Sequence, residues 1–193
     1  DAPKASLLDK ITKQTFRASE IVNNLLNFSR TTGTEFAEIS LNKVVTDTLA
    51  LLDHQFKVAG VQVQSELHEN LPLIQGSAGR LQQVFLNLFL NAKDAMTGGG
   101  VLNVATMNGD FVSVRVTDTG SGIAQEHIHR IYDPFFTTKT APAPGQNRGT
   151  GLGLSVSYGI IQEHGGNIRV ESHPGEGTTF TLDFPLVRKA AHV

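Results

Sequence analysis

Asn87, Asn91 and Asp94 stand at helical spacings of four and three in "NLFLNAKDAM", so one side of an otherwise Leu-, Phe- and Ala-rich helix carries three side-chain oxygens. Hard oxygens on such a face suit Mg2+, which takes one or two protein ligands and fills its shell with water and phosphate. A second polar signal is "VTDTGSGI", where an apolar alternation ends in Asp118 and runs on through Gly120 and Gly122. A carboxylate there can accept an exocyclic amine such as that of adenine, and the glycines leave room for a flat ring; the same residue types also make a plain turn. A third is "NRGTGLGLSVSYGIIQEHGG", in which Gly149, Gly151 and Gly153 alternate with Thr150 and Leu152 and lead straight into an apolar helical pattern. Glycines let backbone amides approach a ligand, and a helix start offers free N–H groups and the positive end of its dipole, which suits an anion. Glycine spacing alone serves an ordinary loop equally well.

Between the second and third signals runs "DPFFTTKTAPAPGQNRG", where Lys139 and Arg148 flank prolines, small alanines and a glycine. Such residues resist a packed conformation, so the span is expected to be a mobile lid whose two cations converge on phosphates. The last signal is "GEGTTF", with Thr178 between a tight turn and a strand. No strand pattern directly precedes the alternating glycines, and no G-x-x-x-x-G-K-[ST] occurs, so neither a Rossmann turn nor a Walker loop accounts for them.

These residues need elements to hold them. From Ala5 to Arg30, Leu8, Ile11, Ala18, Val22 and Leu25, with Thr15 and Ser29, follow a 3-4 alternation that predicts a bundle or coiled-coil helix. Its stripe finds no partner nearby, so the partner is expected on another chain or on a helix preceding this one. "TTGTE" breaks the pattern and divides a partial helical segment, 1–33, from a second domain, 34–193. There the spacing predicts helices over Leu41 to Ala59, Ser77 to Met96 and Gly151 to His164, with a short one near Gln125 to Tyr132. Strands are predicted at Val61 to Leu67, Val101 to Met107, Phe111 to Thr117, Asn167 to Ser172 and Thr178 to Phe184, with "NGD" and "HPGEG" as turns. Helices and strands mix without regular βαβ alternation, which argues for an α+β layer of helices on a mixed sheet.

The 193 residues suffice for one well-cored domain and a smaller element. A net charge of −2 gives no basic footprint, so nucleic acid and anionic membrane are poor partners. Without cysteine there are no disulfides or thiolate metal sites, which fits a cytoplasmic setting. "VFLNLFL" falls far short of the roughly 20 residues of a membrane span, and no signal peptide is visible. The chain opens on Asp1 and enters a helical pattern almost at once, as expected of a piece of a longer protein.

In this order and at these spacings, the polar signals resemble the N, G1, F, G2 and G3 boxes of the histidine kinase ATP-binding domain, a member of the GHKL ATPases that also include gyrase, Hsp90 and MutL. The resemblance covers Ser40 to Leu186; the helix ending in "LLNFSR" resembles the second helix of the dimerisation and phosphotransfer hairpin, and "NAKDAM" with "DPFFTTK" is most similar to nitrogen-regulation sensor kinases. It implies a two-layer α/β sandwich of Bergerat type preceded by one long bundle helix, with ATP and Mg2+ as cofactors. Asn91 is then the Mg2+ ligand, Asp118 holds the adenine amine, Gly122 and Thr178 help seat the ring, and Gly149 to Gly153 wrap the phosphates. Asn87, Asn91 and Lys139 are the expected catalytic set; Asp94, Gly120 and Arg148 are expected to join them around ATP. The implied partners are a phosphoacceptor hairpin, a response regulator and a second copy joined through the N-terminal helix.

Two departures from the family stand out. Asp94 takes a place where many members carry lysine, and none of the seven histidines fits the phosphoacceptor motif. His68-Glu69 ends a strand pattern and approaches Pro72, His127 and His129 face different sides of a helix, and His164 reads as a cation or hydrogen-bond donor at a helix C-terminus capped by Gly165. The expected activity is therefore transfer of the ATP γ-phosphoryl to a histidine outside this chain, with an inactive nucleotide-binding scaffold as the alternative. ATP hydrolysis of the gyrase kind needs a carboxylate base at the place of Asn87, whose amide cannot accept a proton.

Overall fold

A strand covered on one face alternates buried and open side chains, and that alternation is present in most of the main sheet. The computed structural model describes residues 35–138 and 149–186. The expected bundle helix over 1–33 lies outside the described residues, as do Lys139 and Arg148. Five strands, β2 (Val61–Glu66), β4 (Gly100–Asn108), β5 (Phe111–Asp118), β6 (Asn167–His173) and β7 (Gly177–Pro185), form a mixed sheet in the order β2-β4-β5-β7-β6. β2 runs parallel to β4, and every other neighbour is antiparallel. β4–β5 and β6–β7 are hairpins, and the two are joined where β5 meets β7.

Leu102 and Val104 of β4, Val112, Val114 and Val116 of β5, and Phe180, Leu182 and Phe184 of β7 form the sheet side of the core. The other layer contains α1 (Leu41–Ala59), α2 (Ala78–Ala95) and α4 (Gly153–Glu163); a four-residue turn of helix, α3 (Gln125–Ile128), lies apart from it. In α1, Leu41, Val45, Leu52 and Phe56 keep the helical spacing that points them inward. Its first turn is capped by Ser40 Oγ, which accepts from the Lys43 N–H at 3.3 Å, and it ends at Gly60, φ 68. α2 buries Leu81, Val84, Phe85, Leu88, Phe89 and Ala92. The expected α+β two-layer arrangement is thus the observed one.

Two local expectations differ, and one pair of strands was not expected. The helix near Gln125 stops at Ile128, because the next residues form turns leading to Pro134. The helix expected from Gly151 starts at Gly153, since Gly151 adopts φ 70, outside the helical region. A separate two-stranded antiparallel sheet, β1 (Ala37–Ile39) with β3 (Ile74–Gly76), has strands of three residues, too short to show a period.

His164, read from sequence as a cation or donor, is a buried ring that both donates and accepts. Its Nε2 accepts from the Ser77 N–H at 2.9 Å, so Nδ1 carries the proton and donates to Ile160 O at 2.7 Å. The ring thereby ties the end of α4 to the start of α2, beside the Arg80–Glu163 ion pair and tilted over Phe36. Gly76 is glycine because a Cβ there would stand 2.7 Å from His164 Cδ2. Burial lowers the pKa of His164 from 6.5, and the Arg80 charge acts in the same direction, against the hydrogen bond to Ile160 O and the Glu163 charge; the Ser77 N–H needs the Nε2 lone pair and so also favours the neutral ring. In the window below 6.5 the unfolded chain therefore binds the proton that the native ring refuses, and stability falls as pH falls. His164→Gln should lower the melting temperature near neutrality yet flatten its decline, as measured by thermal melts from about pH 8 to about pH 5; a decline as steep as the wild type's would show that protonation of His164 is not a source of the acid loss of stability.

Candidate nucleotide-binding site

One face of α2 acts as a ruler. Asn87, Asn91 and Ala95 succeed one another at intervals of four, so they line a single stripe about 12 Å long. At one end, Asn87 Nδ2 donates to Ser157 Oγ at 3.0 Å, and its Oδ1 occupies the space that a Cβ on Gly153 would fill. At the other end, Ala95 O accepts from the Ser121 N–H at 3.0 Å, and the Ala95 methyl lies 2.7 Å from a Cβ built on Gly120. Asn91 sits between them, half-buried and with no hydrogen-bond partner among the described residues.

The Ala95 end is closed by the sheet. Asp118 continues the inward phase of Val112, Val114 and Val116 and is 5 % exposed. Its Oδ1 accepts from the Gly120 N–H at 2.8 Å. Burial raises the Asp118 pKa above its ordinary value, and the backbone hydrogen bonds from Gly120 and Thr178 oppose that rise. Thr178 faces Asp118 in the β5–β7 register and is likewise buried. Gly122, at φ 69, turns the loop under the β6–β7 turn, where a Cβ would overlap His173 O, and the Gly175 N–H closes it on Ser121 O at 2.8 Å.

The Asn87 end is closed by the start of α4. Leu152 occupies the N-cap and supplies no side-chain oxygen, so the first-turn amides are left for another acceptor. Thr150 Oγ1 accepts from the Leu152 N–H at 3.4 Å. Of the alternating glycines, only Gly151 among Gly149, Gly151 and Gly153 takes a positive φ; Gly153 is required for closeness to Asn87 instead. Phe135 shares the left-handed region at φ 68, rare for an aromatic, and its N–H donates to Gly151 O at 2.9 Å. The two chain segments that frame residues 139–148 are thus locked back to back.

The structure brings most of the expected set around α2. Asp94, by contrast, is exposed, its Oδ1 3.4 Å from Lys93 Nζ. Ser172 and Ala95 were not singled out by sequence. Ser172 is a polar residue in the inward phase of Ile168 and Val170, the same signal that marks Asp118. Among the described residues no group of three or more His, Cys, Asp or Glu side chains is arranged to hold a metal, and no helix is long and apolar enough to cross a membrane.

A buried carboxylate at one end of a helix stripe, first-turn amides without an N-cap side chain at the other, and between them an asparagine with no hydrogen-bond partner among the described residues make a candidate nucleotide site in an α+β domain. The sequence pattern of the histidine kinase-, DNA gyrase B- and HSP90-like ATPases matches residues 76–188, and the chain belongs to that family. It is 37% identical to sensor histidine kinase ZraS of Escherichia coli (strain K12) over 93% of its own length. The chain spans only 37% of the length of ZraS. In three dimensions it is similar to the catalytic domain of histidine kinase ThkA, with a TM-score of 0.67 at 31% identity, covering 78% of this chain and 95% of that one. It is also similar to ThkA in complex with the response regulator TrrA, with a TM-score of 0.70 at 28% identity, covering 91% of this chain and 49% of that one.

Two glycines of α4 separate packing from propensity. Gly159 has open space around a would-be Cβ, so Gly159→Ala should stabilise the fold by about 1 kcal/mol. Gly153→Ala must displace Asn87 and should destabilise by about 1–3 kcal/mol. Denaturant melts of both variants check the pair; equal shifts would refute the Asn87–Gly153 contact.

Proposed function

We propose that the chain is the ATP-binding catalytic domain of a two-component sensor histidine kinase, passing the ATP γ-phosphoryl to a histidine outside this chain. The observation that carries this reading is the α2 stripe, which sets an adenine-type acceptor, Asp118, and the uncapped start of α4 at its two ends with Asn91 between. In this reading Asp118 accepts the adenine amine, Gly120, Gly122 and Thr178 shape the ring's seat, and the amides from Gly149 to Gly153 hold the phosphates. Asn91 fits a Mg2+ ligand because its side-chain oxygen has no hydrogen-bond partner among the described residues, and Mg2+ bound with ATP would supply charge neutralisation for phosphoryl transfer. Lys139 and Arg148 are assigned to the same neutralisation, which the exposed Asp94 cannot provide. Asn87 keeps the start of α4 against α2 and offers no base for water, which favours transfer over hydrolysis. By analogy with its sensor-kinase relatives, a phosphoacceptor hairpin, a response regulator and a second copy of the protein are the partners, in the cytoplasm. "NAKDAM" and "DPFFTTK" support the nitrogen-regulation type.

Incubation with γ-labelled ATP·Mg2+ and a hairpin bearing the acceptor histidine should label the hairpin, with little phosphate released when the hairpin is omitted. Asn91→Ala should abolish the labelling while leaving the melting temperature of the nucleotide-free domain nearly unchanged, because a half-buried helix position tolerates Ala. An unfolded Asn91→Ala domain would make Asn91 structural and sink its assignment to the metal.

A further inference from the structure

Asp118, Thr178 and Ser172 stand side by side on β5, β7 and β6, in register and on the face covered by helices. Their protons can be assigned. Ser172 Oγ has three close partners: the Ile123 N–H at 2.8 Å, Gly177 O at 2.8 Å and Thr178 Oγ1 at 2.9 Å. The amide only donates and the carbonyl only accepts, so the single Ser172 proton goes to Gly177 O and one lone pair takes the Ile123 N–H. The remaining lone pair of Ser172 must take the Thr178 hydroxyl proton; otherwise two oxygens would face each other at 2.9 Å with no proton between them. Thr178 is left with acceptor capacity only.

We propose that Ser172 is a specificity-determining positioning residue: by drawing in the Thr178 proton, it makes the side chains of the Thr178–Asp118 corner acceptors only, so the site selects a purine with an exocyclic amine and rejects one with a 6-oxo group. Two acceptors beside an amine are matched, whereas the same acceptors beside a carbonyl oxygen oppose it. The side chain of Ser172 acts entirely through Thr178, the Gly177 carbonyl and the Ile123 amide. This inference rests on the ATP reading above, and deepens it by naming what enforces the base preference.

The test compares ATP with inosine triphosphate, which carries a 6-oxo group and an N1–H where adenine has an amine and a bare N1, by direct binding to the chain in the presence of Mg2+. The wild type should favour ATP. Ser172→Ala frees the Thr178 hydroxyl to rotate and donate, so the preference should shrink about tenfold, the worth of one hydrogen bond, with inosine triphosphate gaining relative to ATP. Ser172→Thr, which keeps the hydroxyl, should restore it. Thr178→Val gives the sign independently should Ser172→Ala fail to fold: losing an acceptor weakens ATP more than inosine triphosphate, whereas losing a donor does the reverse. A preference unchanged in Ser172→Ala, with both ligands weakened alike, or a preference that grows in Thr178→Val, overturns the proposal. Should the wild type bind neither nucleotide, or bind both equally with Asp118→Asn having no effect, the ATP reading itself fails and takes this inference with it. If the wild type favours ATP and Asp118→Asn erases that preference while the Ser172 and Thr178 variants keep it, only the role of Ser172 is lost.

Discussion

A carboxylate placed in the phase of the core governs much of this structure. β5 turns Val112, Val114 and Val116 toward the helices, and the next residue in that phase is Asp118. A charge there is costly unless hydrogen bonds meet it, and the chain meets it locally: the strand ends, and the Gly120 amide folds back onto the carboxylate. Gly120 has to lack a Cβ because Ala95 and the carboxylate itself already fill that space. The neighbouring strands answer with polar residues at the same level, Thr178 and then Ser172. A band of the sheet is thereby withdrawn from apolar packing and given to hydrogen bonding.

The helix layer gains its precision from rigidity rather than from any single bond. α2 meets the loop after β5 at Ala95 and the start of α4 at Asn87, so the two ends of the candidate site are fixed by the pitch of one helix. At the far end of α4, His164 and the Arg80–Glu163 pair hold it to the first turn of α2. α4 is therefore fastened near both of its ends, to the first turn and to the middle of α2, and Asn91 lies beyond the second fastening, between Asn87 and Ala95. Hydrogen bonds at spaced points along two helices resist rotation of one about the other more than the same number gathered in one place.

Much of this was legible in the sequence because it follows local rules. α1 runs from Leu41 to Ala59, the span its periodicity gives, and β5 from Phe111 to Asp118, one residue longer than its alternation gives. Asp118 could be singled out because a carboxylate closing an apolar alternation, followed by glycines, is chemically odd. Distance in sequence hid other features. The contact of Asn87 with Gly153 and Ser157 depends on how two helices cross, and nothing near Asn87 announces it. β1 and β3 are too short to show a period, and exist because their registers happen to match. The acceptor role of His164 depends on Ser77, far away in the chain, whereas its place at a helix end suggested a cation or a donor. Phe135 at φ 68 has no sequence signature at all.

The meeting of the β4–β5 and β6–β7 hairpins has a thermodynamic consequence. Each hairpin pairs residues close in sequence, but Asp118 belongs to one and Thr178 and Ser172 to the other. Neither half-sheet alone contains the Asp118–Thr178–Ser172 row; it comes into being only along the seam between them. Any free energy gained by a ligand there is therefore credited to the joined state and to no intermediate in which the halves are apart. The seam is also where pairing is least local, and so where the sheet has the largest loop-closure entropy to overcome. A ligand held at that point reinforces the joint of the domain that its own chain connectivity supports least.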